Sequence, residues 1–304
     1  MKVRWREQRL LILRALGTLL AIVLLIVLFR EEGSSDVTAA LARISPGEFL
    51  LALAFLLLSR VFVIARWHVL LTSAGMPIPF RRTASLTLTG LFASNFLPTT
   101  IGGDVVRLTG AIRMGLDRAI CLASLVADRA IGMLGMAIAL PFGLFPFLAN
   151  VNSGAAQALQ LSGLGGRLMT MARKLLAAFA IWTKRPAALF GSLLCTLANM
   201  SLIFAALYTL IHGLHGTTTY QLIAGLWSLT YFVTLIPISI NGYGVQELSL
   251  SFLLNRVGGM GTAESLSVAV LIRVLFILAS LPGAVSLPRI LEAVALARTD
   301  DVPG

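Results

Sequence analysis

Residues 187–211 and 219–240 contain no charged side chain. Residues 46–72, 119–149 and 264–288 are equally apolar stretches broken by only two or three charges. About 18–20 apolar residues suffice to cross the hydrocarbon of a bilayer as a helix. Only helices and closed barrels satisfy their backbone there. The composition agrees: 58% of residues are hydrophobic and 12% charged, against roughly 45–50% and about 25% in a soluble domain. Mean hydropathy is +0.91. The fold class expected is therefore an all-α polytopic membrane protein. No soluble stretch of domain size separates the apolar runs, so residues 1–304 are expected to form a single integral membrane domain.

A first span is expected over about 10–29, preceded or entered by Lys2, Arg4, Arg6, Arg9 and Arg14. It resembles a signal peptide but lacks a small-residue cleavage site, and its basic flank predicts a cytoplasmic N-terminus. Pro46-Gly47 starts a second helix reaching about residue 72. Arg66-Trp67, with Arg81-Arg82, reads as a cytoplasmic interfacial anchor. Residues 83–98 are short for a span and rich in Ser and Thr, and read as half of a discontinuous element. Further spans are expected over 119–149, 187–211, 219–240 and 264–288, with a loop over 150–166 and an amphipathic interfacial helix over 167–182. Six spans and one or two partial elements give about 6–8 transmembrane helices, two of them discontinuous or re-entrant.

The net charge is +11, and no Asp or Glu occurs from Arg129 through Gln246. Basic residues beside apolar spans suit anionic lipid headgroups. They form no soluble face of the kind that binds nucleic acid. Cys121 and Cys195 lie in apolar runs and make neither a disulfide framework nor a zinc pattern.

Two segments interrupt this pattern in the same way. FLPTTIGGDVVR (96–107) and LIPISINGYGVQE (235–247), aligned on Pro98 and Pro237, both read Pro-x-[Ser/Thr]-Ile-x-Gly followed by polar or charged residues. A helix broken inside hydrocarbon is tolerated only where protein or a water-filled cavity surrounds the break. In transporters such paired breaks mark the substrate site, with half-helix N-termini aimed at anionic groups. The glycines Gly102, Gly103, Gly242 and Gly244 allow close approach of a ligand to the backbone. The amides after Gly103 would open a helix near Asp104 and attract a phosphate. Arg129 follows Gly103 by 26 residues and Arg273 follows Gly242 by 31, which an internal repeat would explain. Charges at bilayer depth cost about 2.5–3.5 kcal/mol on insertion scales and usually serve function. Asp104, Arg107, Asp128, Arg129, Glu247 and Arg273 gather around the two breaks, with Asn95 and Asn241 as amide candidates. Against a binding role stands ordinary structure: Asp104 as a cap paired with Arg107, and Asp128-Arg129 as a boundary pair.

NFLPTTIGGDVVR, SLVADRAIGMLG (124–135), IPISINGYGVQE and ARWHVLL (65–71) resemble, in this order, the membrane domain of lysylphosphatidylglycerol synthases and its stand-alone, flippase-like relatives. The resemblance implies a multi-pass inner-membrane protein of bacteria or archaea. In the two-domain synthases this membrane part is credited with moving aminoacylated lipid between leaflets, while a separate soluble domain makes it; no such domain is expected within residues 1–304. The family usually carries Arg where this chain has Gln246.

The leading expectation is a lipid translocase, not an enzyme. A phosphate of a phospholipid or a polyprenyl-phosphate lipid would sit on the glycine amides with Arg107, Arg129 and Arg273. Asp104, Asp128 and Glu247 would pair those arginines or receive a cationic headgroup of an aminoacylated lipid. Gly102-Gly103 lacks the continuation of a nucleotide-binding loop. No Asp-x-x-Asp pair or His cluster suggests a metal, and no cofactor is expected. Two other classes stay open: a membrane-embedded lipid-modifying transferase, and a non-transporting scaffold for a partner glycosyltransferase or lipid synthase.

The charge distribution generates a topology test. Single cysteines at positions 34 and 73 should be labelled from outside and from inside the cell, respectively, by an impermeant maleimide. Reversed labelling at either position would end this orientation.

Overall fold

The computed structural model describes residues 19–20, 23, 26–27, 34–97, 102–150, 185–236 and 239–286. The expected first span lies largely outside them. So do Pro98, Pro237, the 151–166 part of the loop, the amphipathic 167–182 segment and the tail beyond Ser286. Among the described residues there are ten α-helices and no strand. They are α1 Ser34–Arg43, α2 Pro46–Ser73, α3 Phe80–Ser94, α4 Gly102–Arg113, α5 Arg118–Ala139, α6 Pro141–Asn150, α7 Pro186–Gly213, α8 Tyr220–Thr234, α9 Val245–Arg256 and α10 Thr262–Ser280. Short 3₁₀ turns occupy Ile240–Gly242 and Leu281–Ser286. The fold is all-α and polytopic: α2, α5, α7 and the stretch Thr262–Ser286 are each long and apolar enough to cross a membrane.

Local chemistry sets the boundaries. Ser45 Oγ accepts from the Glu48 amide at 3.2 Å, and the Glu48 carboxylate accepts from the Ser45 amide at 2.9 Å. This capping box, with Pro46 in the first turn, starts α2. Asp117 Oδ1 caps α5 through the Ile120 amide at 2.9 Å. α2 shows lipid its Leu50, Leu57, Leu58 and Val61, and buries Ala52, Leu56, Ser59, Trp67 and Leu70. Small residues such as Ala52, Ser59 and Ala206 let α2 and α7 approach closely where hydrophobicity offers no drive for helices to associate.

One span needs correcting. Residues 219–240 were expected to cross, but α8 has 15 residues, about 22 Å of helix, and stops at Thr234. It is the counterpart of α3, also 15 residues. The apolar run continues past Thr234, so hydropathy alone hid the break. The left-handed backbone at Asn241, Gly242 and Gly244 (φ 49°, 73° and 76°) marks it. The 119–149 run likewise divides at Pro141 into α5 and α6.

The helix lengths repeat. α2–α3–α4 (28, 15 and 12 residues) are matched by α7–α8–α9 (28, 15 and 12). α5 (22) then corresponds to α10 (19). Packing repeats as well: α2 on α3 and α5 answers to α7 on α8 and α10, and α3 on α4 answers to α8 on α9. The two halves run in opposite directions. α2 and α7 are antiparallel, because the Arg185 guanidinium donates to the Ser73 carbonyl at one end, and at the other a methyl on Gly213 would lie 2.9 Å from the Glu48 carboxylate. Trp67, Leu71, Ile78, Leu86, Ala111, Cys121 and Leu125 form one core cluster with Leu116 against it. The end of α2, the start of α3, the end of α4 and the start of α5 therefore share the Ser73 end, so α3–α4 is a re-entrant hairpin. The hairpin α8–α9 enters from the Gly213 end, where Ile211, Leu214, Ile223, Leu254 and Met260 share the other core.

Each half is fastened to the other. Gly143 of α6 lies directly on the backbone of Gly225 in α8, and Gly283, in the turn after α10, lies on the Leu88 carbonyl of α3. Gly225→Ala should therefore destabilise by about 1–3 kcal/mol or more, since its methyl meets main chain that cannot rotate away. Gly191→Ala, with open space around it, should be neutral or stabilising by up to about 1 kcal/mol. Thermal unfolding of the two variants in one detergent checks the contrast.

Candidate functional site

Both hairpin tips meet in the middle of the bundle. Asn95, at the end of α3, donates through Nδ2 to Ser280 Oγ of α10 at 2.8 Å. Around them lies a cavity of about 320 Å³. Its wall includes Asn95, Gly103, Asp104, Arg107, Arg129, Asn241, Gly242 and Arg273. Of the twelve residues singled out from sequence, these eight reach the wall, whereas Gly102, Asp128, Gly244 and Glu247 lie behind it. The N-termini of α4 and α9 both face the cavity, through Gly103 and Asp104 on one side and Gln246 on the other. First-turn amides have no partner within their helix and carry its positive dipole end.

The arginines repeat with the helices. Asp104 is the third residue of α4 and Glu247 the third of α9; Arg129 is the twelfth of α5 and Arg273 the twelfth of α10. Arg129 Nε donates to Asp104 Oδ2 at 2.6 Å, and Arg273 Nε donates to Glu247 Oε1. Arg273 also reaches the Gly242 carbonyl at 3.2 Å and stacks over Tyr243. Each pair ties the returning arm of a hairpin to the next span.

The first half adds a second layer. Asp128 accepts from Arg66 Nε at 2.6 Å through one oxygen and from Arg107 Nη1 at 3.2 Å through the other. Arg107 Nη1 also reaches Asp104 Oδ1 at 3.2 Å. The Arg107 guanidinium lies over the Trp67 ring, 4.1 Å from its centroid, and Trp67 Nε1 donates to Ser124 Oγ at 3.0 Å. Arg66 Nη1 continues to Thr196 of α7 at 3.3 Å. Counting from the helix starts, the second half places Ala206, Leu250 and Ile272 where the first has Arg66, Arg107 and Asp128.

These contacts correct the reading of Arg66-Trp67 as a headgroup anchor. Arg66 is 9% exposed and Trp67 fully buried, and both belong to the central network. Facing Asp128 gives the arginine a partner that the interface would not. Arg60, one helical turn and a half earlier, was passed over in the sequence, yet it lines the cavity. Two arginines inside one span were the available signal. Gly102 and Gly103 have a packing task beside any contact with a ligand. A methyl on Gly90 of α3 would lie 2.7 Å from the Gly103 carbonyl, and one on Gly103 would strike the Gly90 carbonyl. Their glycine character lets the two arms of the hairpin touch.

Residues 14–283 match the model of the lysylphosphatidylglycerol synthase transmembrane region. The chain belongs to that family. No curated protein matches it. Membership makes the chain a membrane-embedded, multi-pass protein related to lipid metabolism or transport.

Asp128→Ala would leave the buried Arg66 guanidinium without a carboxylate and Arg107 with Asp104 alone. It should destabilise by about 3–5 kcal/mol, the range for breaking a buried pair. Arg82→Ala, at an exposed position in the first turn of α3, should change stability by less than about 0.5 kcal/mol. Thermal melts in detergent measure both, and equal effects would show that the buried network carries no stability.

Proposed function

We propose that this chain translocates a phosphate-bearing lipid between the leaflets of the cell membrane, with residues 1–304 acting as one membrane domain and the Ser73 end cytoplasmic. The observation that carries the reading is the cavity between two inverted hairpins, walled by arginines and half-helix N-termini. Inverted-topology repeats with a midplane site at their interface are the architecture by which secondary transporters alternate access. The headgroup phosphate would sit among Gly103, Arg107, Arg129, Asn241, Gly242 and Arg273, with Asn95 contributing an amide. Asp104, Asp128, Glu247, Gly102 and Gly244 would hold those groups in place. The acyl or prenyl chains stay in lipid while the headgroup crosses through the polar centre.

The ends of the bundle support the orientation. Arg81, Arg82, Arg113, Arg118 and Arg185 lie at or beside the Ser73 end, against Arg43 and Arg256 at the opposite end, which also carries Glu48 and Glu264. Excess Lys and Arg mark the cytoplasmic face.

Proteoliposomes carrying a fluorescent anionic phospholipid, quenched by dithionite from outside, test the function. Purified protein should raise the fraction of quenchable lipid with its chemical structure unchanged. Arg273→Gln should lower the rate by about tenfold or more, scored on protein with a normal elution profile. Unchanged accessibility with wild-type protein would remove the translocase. Headgroup transfer to a second lipid, detected by mass spectrometry, would replace it with a transferase.

A further inference from the structure

The cavity holds a charge imbalance that its ion pairs do not close. Arg60, Arg66, Arg107, Arg129 and Arg273 stand against Asp104, Asp128 and Glu247, an excess of two positive charges. The excess is localised. Arg129 and Arg273 each bond a carboxylate through Nε. Arg107, 6% exposed, engages its carboxylates through Nη1 alone; its Nε and Nη2 are buried without a hydrogen-bond partner among the described residues. Arg60 has no ion pair among them; its guanidinium lies over Phe276 and its buried Nε is unpartnered. Gln246 Nε2 and Trp227 Nε1 are further buried donors without an acceptor among the described residues. All four residues line the cavity.

Acceptors are distributed in the opposite way. Asp104 is the one carboxylate on the described wall. Both its oxygens are engaged, Oδ1 by Arg107 and Oδ2 by Arg129. Both oxygens of Asp128 are engaged too, by Arg66 and Arg107. Glu247 has one unpartnered oxygen, Oε2, but it is buried and Glu247 is not on the wall. The site therefore offers donors and positive charge, and gives an ammonium no free carboxylate.

We infer that the headgroup this cavity takes is a phosphomonoester without an amine, gripped by the unsatisfied donors of Arg60, Arg107 and Gln246. A phosphomonoester carries about −1.5 to −2 charge near neutral pH and three acceptor oxygens. It matches the excess of two charges and supplies acceptors to a wall rich in unpartnered donors, whereas a phosphodiester brings one charge. An aminoacylated diester adds cationic groups to a cavity that already has a surplus of them. Phosphatidate and a polyprenyl monophosphate share the selected chemistry, as does inorganic phosphate. The inference rests on the translocase reading and names its cargo.

The experiment uses the full purified chain in phosphatidylcholine vesicles with trace fluorescent phosphatidate, phosphatidylglycerol or lysyl-phosphatidylglycerol, and measures binding and dithionite-detected movement for each. Phosphatidate should bind about tenfold tighter than phosphatidylglycerol, the effect of roughly one further unit charge in a partly screened site, with lysyl-phosphatidylglycerol weakest. Arg60→Gln removes a side chain with no ion pair, so the protein should fold normally while phosphatidate falls to the level of phosphatidylglycerol. Equal binding of all three lipids, or preference for the lysyl lipid, would overturn the monoester assignment and leave translocation standing. Movement of no lipid would overturn both. Inorganic phosphate that competes at equal concentration and crosses the vesicle wall would show the ligand to be the free anion.

Discussion

Hydrocarbon cannot satisfy a backbone amide or carbonyl, so a helix that stops halfway through a bilayer needs protein around its end. Two helices here stop halfway, α3 and α8. The rest of the structure follows from enclosing them. The long antiparallel pair α2 and α7 gives a common seam, each hairpin leans on that seam from opposite ends, and the tips meet where water-loving groups can share one enclosure. The Arg–carboxylate bridge of each half then fixes the returning arm. Its aspartate or glutamate sits in a helix first turn, where negative charge is favoured, and its arginine comes from a full-length span.

Much of this was legible beforehand. Apolar length identified α2, α5, α7 and α10, and the Pro-x-[Ser/Thr]-Ile-x-Gly echo identified both breaks. Charges at bilayer depth singled out Asp104, Arg107, Asp128, Arg129, Glu247 and Arg273, which the structure joins in ion pairs, with Arg66 and Arg107 on Asp128 in place of Arg129. Other features were hidden for physical reasons. Residues 219–240 carry no charge, so nothing in their hydropathy separates a span from a half-helix and its break. The inverted relation of the halves depends on which end of α7 lies beside Ser73, a contact made through a main-chain carbonyl that leaves no trace in residue type. Arg66 looked interfacial beside Trp67 because that pairing is common at headgroup level. Only its partner on α5 shows that it points inward. Gly90, Gly143 and Gly225 were unremarkable in a chain with 27 glycines, and their role emerges from backbones that touch.

The halves are related in shape and unequal in chemistry. Glu247 and Arg273 form a simple bridge, whereas Asp104 and Arg129 are joined to Arg107, Asp128, Arg66 and Thr196 across four helices. Apart from Asp104–Arg107, each of these contacts ties one helix to another. The hairpin α3–α4 is therefore braced by α2, α5 and α7 together, while α8–α9 is held by one bridge and by apolar packing.

The turn Leu281–Ser286 covers α3 and leaves the ribosome long after it. The first hairpin is thus made roughly 170 residues before its covering turn exists. During that interval the Leu88 carbonyl and the side of Phe92 that Gly283 will meet lack their final neighbour. A nascent chain with α3 and α4 already threaded into the membrane must keep that groove open through the making of the entire second half. The late glycine at position 283, with no side chain to obstruct, is what lets the final turn slide home on a surface laid down long before.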